Sequence, residues 1–318
     1  GLVLGHVQSG KTANFTALIA KAADVGYRVF IVLSRLYNSL RKQTQKRLDQ
    51  ELVNLNPDRW LSLTDRDRDF GDQTLNADFV VQDGGNSALL GGVQHRSLIV
   101  LKKNHRRLER LIRWLRSAEP SLLRACPVMV IDDEADQASI NASRYEHERT
   151  RINELLIELL SILPRHAYVG YTATPFANVL VDPGTDEGLY PRHFIVTLPK
   201  PDSYFGAEKL FGRSAMTEWS EEEGADPIDV IRHVDDDEVS HVRPLSAAAV
   251  DEFEPALVPS LDESLRYFWL ACAARRVRGQ GDDHTTMLVH THQRIAVHER
   301  FLPLVVDARD RVRDSLKR

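Results

Sequence analysis

A glycine-bounded loop between an apolar strand and a helix constrains this chain more than any other feature. Residues Gly5–Thr12 read GHVQSGKT and fit the pattern G-x-x-x-x-G-K-T, directly after the apolar run Leu2–Leu4 and directly before a helical pattern over Thr12–Val25. Glycines let a backbone approach phosphate oxygens, and the N–H groups at a helix N-terminus supply positive potential. The pattern predicts a phosphate-binding loop; the alternative is a glycine turn that happens to carry Lys and Thr.

The residue types in the loop favour a nucleotide as the ligand. Lys11 adds a cation for the phosphates, and the hydroxyl of Thr12 can ligate Mg²⁺. The expected nucleotide-binding residues are Gly5, His6, Val7, Gln8, Ser9, Gly10, Lys11 and Thr12.

Short apolar runs alternate with helical patterns through the first two thirds of the chain. The predicted strands are Leu2–Leu4, Arg28–Leu33, Ser97–Leu101, Pro127–Ile131, Ala167–Tyr171 and His193–Leu198, with weak signals at Trp60–Leu63 and Phe79–Gln82. The predicted helices are Thr12–Val25, Tyr37–Leu52, Asn104–Ala118 with Asn104 as its N-cap, and Arg151–Leu163. This alternation predicts an α/β fold with a doubly wound parallel sheet.

A strongly acidic segment follows. Between Met216 and Glu263 there are fifteen Asp and Glu residues against Arg232 and Arg243, which predicts an insertion or linker. Because the whole chain has a net charge of −5, the residues outside this acidic segment are net positive. The overall charge therefore does not exclude a nucleic-acid partner.

After the acidic segment, a second α/β unit is predicted. Ser260 to Glu263 fits a capping box that opens a helix ending near Gly279, Thr285–Thr291 reads as a strand, and Arg294–Leu316 as a helix. The expected domains are 1–200, 201–259 as the acidic linker, and 260–318 as an incomplete second unit. Because the chain opens inside a strand without Met, we expect it to be part of a longer protein.

Composition excludes several classes of protein. The chain has 318 residues, of which 42% are hydrophobic. No apolar run in it approaches the roughly 20 residues needed to cross a bilayer. The two cysteines, Cys126 and Cys272, are far apart and have no zinc-ligand spacing, so no disulfide framework or zinc site is predicted. We expect a cytoplasmic protein without a membrane partner.

Acidic residues follow the predicted strand that ends at Ile131. Asp132-Asp133-Glu134-Ala135-Asp136 stands at a strand carboxyl end, where open α/β sheets place their ligand sites. We expect Asp133 to hold Mg²⁺ and Glu134 to orient or deprotonate the attacking water, with Asp132 as a competing metal ligand. The alternative is an acidic, solvated helix cap.

A third motif ends the next strand. Tyr168 to Pro175 reads YVGYTATP, and the hydroxyls of Thr172 and Thr174 can hydrogen-bond the acidic motif. A plain turn is the alternative.

Together and in this order, the three motifs resemble those of the first RecA-like domain of superfamily 2 helicase-like ATPases, a class of P-loop NTPase. Four segments are similar to the Z1 domain family of bacteria: GHVQSGKTANFTALIAKAADVGYRVFIVLS, LRKQTQKRL, VIDDEADQASIN and GYTATPFANVL. The resemblance implies ATP and Mg²⁺ as cofactors, held by Lys11, Thr12 and Asp133. It also implies that Glu134 acts on the water and that Thr172 and Thr174 couple hydrolysis to movement.

For the function, the resemblance implies a nucleic-acid-dependent ATPase or translocase of a bacterial restriction or phage-defence protein, an ATP hydrolase in its full-length form. DNA is the expected nucleic-acid partner, and the residues do not distinguish DNA from RNA. GHKL-type ATPases and PD-(D/E)xK nucleases are the implied protein partners. Two alternatives stay open: an endonuclease acting on DNA, and a nucleotide-binding scaffold that assembles with a separate nuclease. Neither a D…(D/E)xK nor an HNH nuclease pattern is found in the sequence.

Basic residues outside the three motifs are candidate nucleic-acid contacts. The resemblance places Gln43 where such ATPases begin to touch the nucleic-acid backbone. Arg41, Lys42, Lys46 and Arg47 recur at helical spacing, and Lys102-Lys103-Asn104 follows a strand at the sheet edge. An ordinary solvated helix face is the alternative for the first group.

Overall fold

The computed structural model describes residues 1–317 except 8, 35, 68–89, 93, 138–150, 180–188, 214–223, 247 and 282. The chain divides into two compact units, Gly1–Gly206 and Ala207–Arg318. The predicted strand Phe79–Gln82 lies outside the described residues. None of the helices in the described part is both long and apolar enough to cross a membrane.

In its described residues, the first unit is built on a seven-stranded sheet in which every strand pair is parallel. Its strands are β1 (Leu2–Leu4), β2 (Val29–Ser34), β3 (Trp60–Ser62), β4 (Arg96–Lys102), β5 (Val128–Asp133), β6 (His166–Thr172) and β7 (Ile195–Thr197). Across the sheet the order is β3-β4-β2-β5-β6-β1-β7. The predicted α/β fold with a parallel sheet is confirmed.

Helices connect these strands. The first unit contains α1 (Lys11–Asp24), α2 (Asn38–Leu48) continued by a π-helical segment (Asp49–Val53), α3 (His105–Arg116), α4 (Pro120–Ala125), α5 (Arg151–Ser161) and α6 (Phe176–Val179). Asn104 is the N-cap of α3, as predicted, and its side chain accepts a hydrogen bond from the Arg106 backbone N–H at 3.1 Å.

Both faces of the sheet are buried because parallel strands are joined by helices that cross over them. On β2, Val29, Ile31 and Leu33 share one hydrophobic cluster with residues of α3 and α5. The alternate residues Phe30 and Val32 share the other cluster with residues of α1 and α2. The central strands therefore read as continuous apolar runs, and helices cover both faces.

The second unit is helical in its described residues. It contains α7 (Ala207–Phe211), α8 (Val239–Val242), a 3₁₀ turn (Ala248–Val250), α9 (Pro259–Val277) and α10 (Ile295–Leu316). Val250 and Phe253, from the end of the acidic segment, pack with Val297 and Phe301 of α10. The segment predicted as a linker at 201–259 thus contributes to the core of this unit, and the division at 206 differs from the predicted boundaries at 200 and 259.

Two local predictions in the second unit are wrong. Thr285–Thr291 forms no strand, although its side chains alternate between half-buried and exposed. A strand needs a neighbour for its backbone N–H and C=O groups, and none of the described residues of this unit supplies one. The capping box is also absent, because α9 begins at Pro259 with Val258 as its N-cap and Ser260 already lies inside the first turn.

The sheet core generates a prediction on stability. Phe30 has no exposed surface, and its ring centroid lies 5.3 Å from that of Trp60. We expect Phe30→Ala to lower the free energy of unfolding of the first unit by about 3–5 kcal/mol, because a large buried side chain leaves a cavity. Urea unfolding followed by tryptophan fluorescence measures this loss.

Leu61→Ala is the matched control, since Leu61 lies on the edge strand β3 and is 40% exposed. We expect that variant to lose less than about 1 kcal/mol. Equal losses for the two variants would contradict the described core.

Candidate functional site

The three sequence motifs meet at one edge of the sheet. They follow β1, β5 and β6, and in a parallel sheet all carboxyl ends lie at the same edge. β6 lies between the other two strands, with Thr172 paired to Leu4 and Tyr171 paired to Asp133. Two strand spacings, about 10 Å, therefore separate the strand that precedes the loop from the strand that precedes the acidic motif.

The predicted phosphate-binding loop wraps around the side chain of Lys11. Gly10, the N-cap of α1, has the left-handed φ of 91° that favours glycine. The Lys11 ammonium is buried and donates to the carbonyl oxygens of Gly5 and His6, both at 3.4 Å. A Cβ at Gly5 would lie only 2.9 Å from Lys11 Cγ, so Gly5 leaves room for the lysine. Gln8 lies outside the described residues.

The same lysine connects the loop to the acidic motif. Lys11 Nζ lies 4.0 Å from Glu134 Oε1, and both side chains are largely buried. At this separation in a partly dry site, the opposite charges attract more strongly than they would in water.

The two neighbouring aspartates of the acidic motif point to opposite faces of the sheet. Val128 and Val130 belong to the cluster on the α3 and α5 face, whereas Met129 and Ile131 belong to the cluster on the α1 face. Because side chains alternate along a strand, Asp132 lies on the face of α3 and Asp133 on the face of α1. Asp133 therefore shares its face with the helix that begins at Lys11 and Thr12.

Asp132 is engaged in a buried network. Its Oδ1 lies 2.7 Å from Lys103 Nζ, both side chains have no exposed surface, and its Oδ2 accepts a hydrogen bond from Tyr168 Oη at 2.6 Å. Burial, reinforced by the Asp132 carboxylate, raises the pKa of Tyr168 well above its usual value, so the phenol remains a donor. These partners give Asp132 a structural role, whereas Asp133 lies on the side of the loop.

Glu134 has an uncommon backbone conformation. Its φ of 57° makes it the one non-glycine residue with positive φ in the described part of the chain. After it, the Ala135 N–H donates to the Tyr171 carbonyl at 2.9 Å, and the Gln137 N–H to the Glu134 carbonyl at 2.9 Å. Lys103 Nζ also donates to the carbonyl oxygens of Glu134, at 2.5 Å, and Gln137, at 3.1 Å.

The TATP motif binds both other motifs. Thr172 Oγ1 and Thr174 Oγ1 donate to the two carboxylate oxygens of Asp136, each at 2.7 Å. The Thr172 carbonyl accepts from the Gly5 N–H at 3.0 Å. The hydrogen bonds expected between these threonines and the acidic motif are therefore present, and Asp136 accepts both of them.

A residue outside the motifs lies against the loop. Tyr204 Oη donates to the Val7 carbonyl at 2.8 Å, and its ring centroid lies 5.1 Å from that of His6. Sequence reasoning missed Tyr204 because no local pattern marks it.

Two predicted nucleic-acid contacts are wrong. Arg41 is buried and donates to the backbone carbonyls of Asp65 at 2.9 Å and Arg66 at 2.6 Å. Lys103 is buried beneath the acidic motif. Gln43 and Lys46 are exposed on α2, whereas Lys42 pairs with Asp67 and Arg47 with Glu51.

The donor set at this edge suits Mg²⁺ bound together with a nucleotide. Among the described residues, no group of three or more His, Cys, Asp or Glu side chains could hold a metal by itself. Mg²⁺ usually takes one or two protein oxygens and completes its shell with waters and phosphate oxygens. Thr12 and Asp133, on the same face of the sheet, match that smaller requirement.

Comparison with known families places a match in the second unit. The model of the Z1 domain family, described as "Z1 domain", matches residues 260–318. A search of curated proteins found no match. The family match covers α9, α10 and the segment between them, while the motifs described above lie in the first unit. The predicted resemblance to the Z1 domain family is thereby confirmed, on residues 260–318.

Proposed function

We propose that this chain is a P-loop, helicase-like ATPase module that hydrolyses ATP in a nucleic-acid-dependent manner, within a bacterial restriction or phage-defence protein. The observation that carries the proposal is that Lys11 Nζ lies 4.0 Å from Glu134 Oε1, at the sheet edge where the loop follows β1 and the acidic motif follows β5. A cation for phosphate and a carboxylate for water at one site suit phosphoryl transfer to water.

In this proposal the loop Gly5–Thr12 binds the phosphates. The left-handed Gly10 turns the chain into α1, whose first N–H groups point out of the helix N-terminus. Lys11 would exchange its bonds to the Gly5 and His6 carbonyls for phosphate oxygens, which are stronger acceptors. Thr12 and Asp133 would hold Mg²⁺, which supplies charge neutralisation of the phosphates when it is bound.

Glu134 would orient a water molecule in line with the γ-phosphorus. Its carboxylate accepts the proton that the water loses as the new P–O bond forms, and the bond to the ADP oxygen breaks. Asp132 cannot share this task, since Lys103 and Tyr168 occupy its carboxylate oxygens on the opposite face.

Thr172 and Thr174 would couple changes at the nucleotide site to movement of the TATP segment. Asp136 joins both hydroxyls to the acidic motif, and the Thr172 carbonyl joins the same segment to Gly5. A shift of either motif would therefore move the TATP segment. Gln43 and Lys46 on α2 are exposed and remain candidate contacts to the nucleic acid. The family resemblance indicates DNA as that nucleic acid.

Lys11→Ala tests nucleotide binding. We expect the Kd for a fluorescent ATP analogue to rise at least tenfold, because the variant removes the buried cation of the loop. Lys21→Ala is the control, since Lys21 is exposed near the other end of α1 and should leave the Kd unchanged. Equal Kd values for wild type and Lys11→Ala would contradict a phosphate-binding loop.

Glu134→Gln tests hydrolysis. We expect kcat for ATP to fall by about 100-fold or more while the analogue still binds, because the amide cannot accept the proton. The assay uses the full-length protein with no DNA, single-stranded DNA and double-stranded DNA, and DNA that stimulates wild type identifies the partner.

Three results would contradict this assignment. Turnover that persists in Glu134→Gln would remove the glutamate from the chemistry. ATP binding without turnover under every condition would favour a scaffold, and metal-dependent DNA cleavage that survives the substitution would favour an endonuclease.

A further inference from the structure

The buried ammonium of Lys103 is directed at the acidic motif. It donates hydrogen bonds to the carbonyls of Glu134 and Gln137, and it forms an ion pair with Asp132 Oδ1 at 2.7 Å. Its side chain has no exposed surface. Its backbone N–H donates to the Ser34 carbonyl at 3.3 Å, which anchors it to β2.

Charge balance accounts for the ion pair alone and not for the two hydrogen bonds. A buried ammonium needs a counter-charge, and the carboxylate of Asp132 provides it. The other two acceptors are neutral backbone carbonyls of residues that have left the strand. They belong to the turn in which Glu134 has its left-handed φ of 57°.

That turn decides where the Glu134 carboxylate lies. If β5 continued past Asp133, alternation would place Glu134 on the face of Asp132, away from α1. The left-handed residue interrupts the alternation, and Glu134 Oε1 instead lies 4.0 Å from Lys11 Nζ. Such a conformation costs free energy in a residue with a side chain, so surrounding contacts must hold it.

Contacts hold the turn from two sides. On the side of β6, the Ala135 N–H binds the Tyr171 carbonyl, and Ala135 packs against Gly170, where an added Cβ would lie 2.9 Å from Ala135 Cβ. On the side of β4, Lys103 binds the carbonyls of Glu134 and Gln137.

We infer that Lys103 is a positioning residue for Glu134: its buried ammonium holds the left-handed turn and so keeps the glutamate carboxylate beside Lys11. In this inference Lys103 acts through Glu134 and not on the substrate. The expected effect of Lys103 on ATP hydrolysis rests on the proposed function. Its effect on the conformation of the Glu134 turn does not.

The test separates positioning from stability. Lys103→Met alone would leave the Asp132 carboxylate buried without a partner and would destabilise the protein for that reason. The informative variant is therefore Lys103→Met combined with Asp132→Asn, which removes both charges and keeps an acceptor for Tyr168. Lys21→Met is the matched lysine control on the exposed face of α1.

The first measurement is hydrogen exchange at the Ala135 and Gln137 amides, which needs no ATP. In the double variant we expect exchange to be at least about tenfold faster at both amides, with exchange in β2 and the urea midpoint as in wild type. Unchanged protection of both amides in a folded double variant would overturn the inference.

The second measurement compares the effect of the double variant on kcat for ATP with its effect on the Kd for a nucleotide. We expect kcat for ATP to fall about tenfold or more and the Kd of a fluorescent ATP analogue to change by less than about threefold, because the carboxylate is misplaced while the loop stays intact. A wild-type kcat in the folded double variant would overturn the inference. If wild type itself does not hydrolyse ATP, the proposed function fails and hydrogen exchange still decides the role of Lys103.

If the double variant does not fold, a measurement on the wild-type protein tests the inference instead. A buried ammonium that donates to two carbonyls and pairs with Asp132 should give a Lys103 Nζ–H resonance that exchanges slowly with water at neutral pH, assigned through its side-chain correlations. Rapid exchange of those protons with water would contradict the inference that the Lys103 ammonium holds the turn at Glu134.

Discussion

Parallel pairing of the seven described strands is the constraint on which the rest of the first unit depends. Each strand of a parallel sheet needs a crossover to reach its neighbour, and the crossing helices bury both faces. Residues far apart in sequence therefore end their strands at one edge. Gly5, Asp133 and Thr172 lie at the same edge of the sheet for this reason, although more than a hundred residues separate the first from the other two.

At that edge the apolar sheet gives way to a buried polar layer. Five charged groups there have described partners: Lys11 faces Glu134, Lys103 pairs with Asp132, and Asp136 accepts from two threonines. Buried polar groups are costly unless they are satisfied, and breaking one partner of a buried ion pair typically costs about 3–5 kcal/mol. Satisfying these groups therefore both stabilises the unit and fixes the geometry of the candidate site.

The family match and the candidate chemistry occupy different parts of the chain. The Z1 domain match covers 260–318, in the helical second unit, whereas the loop, the acidic motif and TATP lie in the first. The proposed ATPase function thus depends on side-chain geometry in the first unit, and its tests are substitutions there.

Local patterns in the sequence determined the fold class, the glycine-bounded loop before α1 and the Asn104 cap, because each depends on residues within one strand, turn or helix end. Only the tertiary structure placed Asp132 and Asp133 on opposite faces of the sheet, next to different helices, since those faces depend on which helix covers each side of β5. It also turned Arg41 and Lys103 from candidate surface contacts into buried donors. Thr285–Thr291 has the alternation of a strand but no neighbour among the described residues. A single segment encodes its own periodicity, whereas burial, ion pairing and strand ladders depend on what the rest of the chain places beside it.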